Sequence, residues 1–90
     1  MKKIYKYEIQ AEDIQRIDIP SERILSVQEQ HNKIVVYALI DTENTTLQTY
    51  EFGMNGTGNP ITFEVETFEF LGTVKLYDGS LMFHVFCRKI

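Results

Sequence analysis

The 90-residue chain has one cysteine, no tryptophan, two prolines and no long apolar run, and each scarcity excludes something. A lone thiol, Cys87, cannot close an internal disulfide or supply a multi-thiolate zinc site, which fits a reducing compartment. The most apolar stretch, Ile34 to Ile40, is seven residues long, whereas a membrane-crossing helix needs about 20. Met1-Lys2-Lys3 opens like a secretion signal, but Tyr5-Lys6-Tyr7-Glu8 stands where the apolar region would have to be. The expectation is a soluble, cytoplasmic protein with no membrane attachment. A basic excess is also missing. Nine Lys and Arg face 13 Asp and Glu, for a net charge of −4 and a pI near 5.0, which disfavours a general polyanion binder.

What remains is ordinary globular composition, 43% hydrophobic and 24% charged, and this excludes disorder, collagen and coiled coil. A chain of this size buries roughly 60–70% of its unfolded surface. Residues 1–90 therefore form one domain, with no room for a second core.

Short β-type segments alternate with turn chemistry along the whole chain. Tyr5, Tyr7 and Ile9 share one face of the first segment, and Lys6 and Glu8 share the other. Ile17 and Ile19 alternate with Arg16 and Asp18 until Pro20 stops the run. The stretch from Arg23 to Gln30 reads as a strand, although Ser21 could also cap a helix there. Lys33 to Asp41 is apolar on both faces and rich in β-branched residues, as in a central strand covered on both sides. Thr46 to Phe52 forms another strand. Gly53 to Pro60 holds three glycines, two asparagines and a proline, a composition that predicts a long irregular loop.

Asp78-Gly79 signals a type I′ turn between alternating residues. That turn pairs Tyr77 with Ser80, and the register it sets places Leu76 opposite Leu81, Val74 opposite Phe83, Gly72 opposite Val85 and Phe70 opposite Cys87, all four pairs on one face. On the other face it sets Glu69 against Arg88. Upstream, Ile61, Phe63 and Val65 are out of phase with Phe68 and Phe70, so a bulge, corner or sheet switch is expected near Glu66-Thr67. About seven short strands and no convincing helix give an all-β fold, a small antiparallel sandwich or partly open barrel.

No catalytic constellation emerges. His84 and Cys87 are three apart on one strand, so they point to opposite faces and cannot form a dyad. His31 falls in a polar turn. Glu64 and Glu66 could form half of a carboxylate site, but solvated acidic residues are the plainer reading. No residue spacing suits a metal, and no cofactor is implied. The glycine-rich stretch precedes a strand and lacks the Lys-Ser/Thr of a phosphate loop. Its residues Gly56, Thr57, Gly58, Asn59 and Pro60 are a candidate contact surface for a partner.

Two further surfaces are candidates. Lys2, Lys3 and Lys6, with Tyr5 and Tyr7 beside them, could join Arg88 and Lys89 in an anion or single-stranded nucleic-acid patch if the chain ends meet. The second face of the C-terminal hairpin carries Leu71, Tyr77, Met82, His84 and Phe86, and something must cover it. Another sheet could do so, or an identical subunit.

The ordered pieces Lys3-Ile4-Tyr5-Lys6-Tyr7-Glu8-Ile9, Ile17-Asp18-Ile19-Pro20, Ile24-Leu25-Ser26-Val27-Gln28, Tyr37-Ala38-Leu39-Ile40-Asp41, Gly56-Thr57-Gly58-Asn59-Pro60-Ile61, Leu71-Gly72-Thr73-Val74 and Phe83-His84-Val85-Phe86 form a pattern. It resembles a family of small β-rich proteins of unknown function encoded by phages and prophages. The resemblance covers nearly the whole chain. It implies a genomic context and supports the strand reading of Ile24 to Gln28, but it transfers no site residues. The expectation is a non-catalytic accessory protein that binds a host or phage protein, with interference in a host defence as one form of that role. Nucleotide or single-strand binding and a minor place in the virion are the alternatives.

Overall fold

The computed structural model describes residues 1–90 as seven strands: β1 (Lys2–Ile9), β2 (Ile14–Ile19), β3 (Arg23–Gln30), β4 (Lys33–Asp41), β5 (Gln48–Gly56), β6 (Glu69–Leu76) and β7 (Leu81–Lys89). Two antiparallel sheets result, ordered β1-β4-β3 and β2-β5-β7-β6. The architecture is an all-β sandwich, not a closed barrel. Along one side the edge strands β3 and β6 come close, and a methyl group on Gly72 would lie 2.9 Å from Val27 Cγ1. No helix is long and apolar enough to cross a membrane.

Period-two alternation builds the core. From β4, the even-numbered Ile34, Val36, Ala38 and Ile40 point inward, joined by Ile9 and Val27 from the neighbouring strands. The facing sheet contributes Ile19, Tyr50, Phe52, Met54, Val74, Leu76, Val85 and Cys87. Phe52, Val36 and Val85 are fully buried, and each such side chain stabilises the fold by roughly 1.5–3 kcal/mol relative to exposure.

Both ends of the sandwich are fastened by polar groups. At one end the buried Tyr50 hydroxyl donates to the Ser21 carbonyl at 3.0 Å. The Ser21 hydroxyl in turn donates to the Arg23 and Leu39 carbonyls. Ser21 thus holds the corner where the chain crosses from β2 to β3, and no helix begins there. At the other end His31 and Asn32, both at positive φ, form the two-residue turn between β3 and β4. The Asn32 side-chain oxygen accepts the Tyr77 N–H at 2.9 Å, joining the two hairpin tips.

The C-terminal hairpin keeps the expected register from Leu76/Leu81 through Val74/Phe83 to Gly72/Val85. Asp78 and Gly79 both take positive φ, and the Ser80 N–H bonds the Tyr77 carbonyl at 3.1 Å, as a type I′ turn requires. Tyr77 is also at positive φ, so the strand ladder ends at Leu76/Leu81 and Tyr77 meets Ser80 through the single hydrogen bond of the turn. The further pairs are corrected by a bulge at Leu71. Phe70 lies opposite Phe86, and Glu69 opposite Cys87, so the expected pairs Phe70/Cys87 and Glu69/Arg88 do not form. An extra residue in one strand reverses the faces beyond it.

Two other boundaries differ from expectation. β5 continues through Gly53 to Gly56 because β7 offers it a complete ladder, and pairing overrides the turn-rich composition. Residues 61–65 form no strand. The corner expected near Glu66-Thr67 is a short 3₁₀ turn, Val65–Thr67.

Candidate functional site

The outer face of the β2-β5-β7-β6 sheet carries the most distinctive chemistry in the molecule. The chain between β5 and β6 folds back over it. Phe63 lies on Gly53, where a methyl group would meet the ring at 2.6 Å, so glycine is required for this close approach. The Phe63 ring meets Phe68 edge-on at 5.0 Å and Phe86 at 5.9 Å, and Phe86 meets Phe70 at 5.3 Å. The Arg88 guanidinium stands 4.4 Å above the Phe68 ring, within cation–π range.

Under this cover sits Glu51, a buried carboxylate on β5. Arg16 Nε donates to one of its oxygens at 2.9 Å, and Arg88 donates to the other at 2.6 and 2.8 Å. The hydrogen bond from Arg16, with that from Arg88, holds the Glu51 carboxyl below the ordinary glutamate range. Glu51 thereby binds β2 and β7 to the strand between them. Phe63, Phe68, Glu51 and Arg16 were not marked by sequence reasoning. The signal present was the run Phe63, Phe68, Phe70 after a glycine, but an irregular segment has no period to say where its rings point.

The five residues proposed for hairpin self-association occupy different environments. Leu71, at the bulge, turns inward against the core. Phe86 is half-buried between Phe63 and Phe70. His84 has a threonine hydroxyl at each ring nitrogen, Thr57 at 2.7 Å and Thr73 at 3.0 Å. Tyr77 and Met82 remain exposed near the tip. Phe70, expected opposite Cys87 on the apolar face of the hairpin, is turned outward by the bulge and left 60% exposed.

The glycine-rich candidate surface is held by its own bonds. Gly56 belongs to β5, and the Asn59 N–H closes a turn on the Gly56 carbonyl at 3.2 Å with Gly58 at φ +84°. The Asn55 amide donates to the Gly56 and Asn59 carbonyls. Thr57, Gly58, Asn59 and Pro60 are exposed or nearly so.

The basic and tyrosine residues do not form a single face. Lys2 bonds Glu22, Lys6 bonds Gln30 at 2.6 Å, and Arg88 is held by Glu51. In β1 the alternation puts Lys2 and Lys6 on the outer side, and Lys3, Tyr5 and Tyr7 on the side facing the other sheet. Tyr7 packs on the core, whereas Tyr5 is 44% exposed. Lys89 lies at the mouth of a cavity with Glu22 and Arg23.

That cavity, about 250 Å³, opens beside Phe70 where the bulge parts β6 from the end of β3. Ile24, Tyr50, Leu71 and Cys87 make its apolar wall, and Arg23, Glu69, Arg88 and Lys89 stand around it. Burial, with the nearby Glu69 charge, pushes the Cys87 thiol up to about 12. At neutral pH it is a small hydrophobe and not a nucleophile. The arrangement suits the capture of an apolar group flanked by charge.

Neither the curated proteins nor the solved structures compared with the chain give a match. The match that exists is to a family model described as a domain of unknown function (DUF7352), and it extends over residues 1–90. The chain therefore belongs to that family, with the whole sandwich as its family domain.

Proposed function

We propose that this domain is an accessory protein of phage or prophage origin that acts by binding a host or phage protein, without catalysis. The observation that carries the reading is Phe70, 60% exposed on a sheet whose other phenylalanines are covered. It stands on the rim of the cavity between β3 and β6, within reach of Arg23, Arg88 and Lys89. An exposed aromatic beside an apolar recess and arginines is the composition of a binding hot spot. The phage context comes from the resemblance of the ordered sequence pieces, and blunting of a host defence is one form such a role takes.

The test is affinity capture from bacterial lysate with three proteins: the wild type, Phe70→Ser, and the Lys3→Glu/Lys6→Glu double variant. A protein retained by the wild type and the charge-reversed variant, but lost with Phe70→Ser, is the expected result. Capture of nucleic acid that falls steeply with salt and vanishes on charge reversal would overturn the reading in favour of a polyanion binder.

A further inference from the structure

We infer that β1 is a self-recognition edge, through which two copies of this chain join their three-stranded sheets into one. The inference rests on β1 alone and is independent of the Phe70 site.

β1 is the free edge of the β1-β4-β3 sheet, and only β4 pairs with it. Residues Lys2 to Lys6 are exposed, with Ile4 at 60% and Tyr5 at 44%. The Thr42 N–H bonds the Met1 carbonyl at 2.9 Å. In an antiparallel ladder hydrogen-bonded pairs alternate, so this contact sets the phase of the strand. The odd-numbered residues turn their backbone groups to β4. Lys2, Ile4, Lys6 and Glu8 therefore present unpaired N–H and C=O groups at the edge, a template for another strand.

The side chains select which strand. A two-fold axis through Tyr5 sets Lys2 opposite Glu8 of the second copy, twice, and Ile4 opposite Lys6. All of these are even-numbered residues, so their outward backbone groups meet as hydrogen-bonded pairs. On the other face Tyr5 meets its own copy in a non-hydrogen-bonded pair, with Cα atoms ~4.5 Å apart. Lys3 then falls beside Tyr7 of the second copy, where a cation–π contact is available. Moving the axis to Ile4 opposes Lys2 to Lys6, and moving it to Lys6 opposes that lysine to itself. Both are like-charge pairs, which destabilise. An axis at Tyr7 pairs Lys6 with Glu8 but confines the ladder to residues 5–9. The Tyr5 register alone uses residues 2–8 and opposes unlike charges.

Lysines on an edge normally prevent pairing. Here the single Glu8 makes the edge acceptable to its own copy while Lys2, Lys3 and Lys6 repel other basic strands. Within the chain Lys2 contacts Glu22 and Glu8 faces Lys33 at 3.7 Å. Both contacts are solvent-exposed and weak enough to be shared with an incoming charge.

The test combines mass and cross-linking on the full chain. Light scattering at rising concentration should give a species of twice 10.5 kDa. Glu8→Lys, which replaces each Lys2–Glu8 pair by two lysines, should weaken association by about tenfold or more. Under mild oxidation Tyr5→Cys should cross-link to a dimer, because residue 5 lies on the axis, and Tyr7→Cys should not. The buried Cys87 stays out of this reaction. A mass of one chain at all concentrations would overturn the inference, as would cross-linking through residue 7 in place of residue 5. Circular dichroism of each variant separates loss of pairing from loss of fold, and a folded Glu8→Lys protein that dimerises as tightly as the wild type would also contradict it.

Discussion

On the outer face of the β1-β4-β3 sheet, Val35 is buried although no other layer lies over it, whereas the outer face of the other sheet needs a segment of chain to close it. Val35 is flanked across the ladder by Glu8 and Gln28. A Lys6–Gln30 hydrogen bond and a Glu8–Lys33 ion pair lie on the same face. The aliphatic stems of these long polar residues supply the cover, and their heads stay in water. Around Gly53 and Phe86 the cover is instead Phe63 and Phe68 from the chain between β5 and β6. An irregular segment can thus serve as a structural layer, and the same sheet is closed over β5 and β7 but open at its β6 edge. Phe70, in the same cross-strand row as Phe86 and Gly53, marks that open edge.

The largest effect is expected at Phe63. Phe63→Ala removes the ring from Gly53, Phe68 and Phe86 and should cost about 2–3 kcal/mol in urea unfolding, less than a fully buried phenylalanine. Gly53→Ala attacks the same contact from below and should cost about 1–3 kcal/mol, because the ring cannot move away freely. A loss under about 0.5 kcal/mol for both would mean that the segment does not seal this face.

Glu51 makes the stability of the covered face depend on pH. Its folded-state pKa lies below the ordinary value near 4.5, so its contribution to stability is present above pH 4.5 and is lost as pH falls through the folded value. Glu51→Gln should lower stability by about 1 kcal/mol at neutral pH and flatten the acid limb of the stability curve. Acid titrations of wild type and variant that run parallel would contradict this.

Cys87 gives the opposite sign. Its folded value of about 12 stands above the ordinary 9.0, so stability is full below pH 9 and falls as pH rises through 12. Burial raises the Tyr50 phenol as well, in the same direction. The native thiol should resist alkylation at neutral pH and react at the rate of a free thiol once urea unfolds the chain. Rapid labelling of the native protein would show that the cavity wall opens. The smallest effect belongs to the polar sheet face, where Lys6→Ala or Gln30→Ala should change stability by less than about 0.5 kcal/mol.

The local record in the sequence was good where periodicity and turn chemistry coincide. Asp78-Gly79 and the alternation around it yield Leu76/Leu81, Val74/Phe83 and Gly72/Val85 in correct register. The reading failed at Leu71, because a single inserted residue leaves no mark in the apolar pattern until the partner strand is known. Strand β4 was legible through its β-branched residues, but not that polar stems would cover its outer side. Glu51 was illegible for a different reason. Its arginine partners are 35 and 37 residues away, and only the order β2-β5-β7 brings them together.

Phe63 closes the sheet over Gly53, and that closure leaves Phe70 as the exposed phenylalanine of the face. The proton chemical shifts of Gly53 measure it directly. With the ring seated on the glycine, the two Hα resonances should be shifted upfield and separated, with nuclear Overhauser contacts to the Phe63 ring that vanish in Phe63→Ala. Gly53 Hα resonances at ordinary strand positions, unchanged by that substitution, would contradict it.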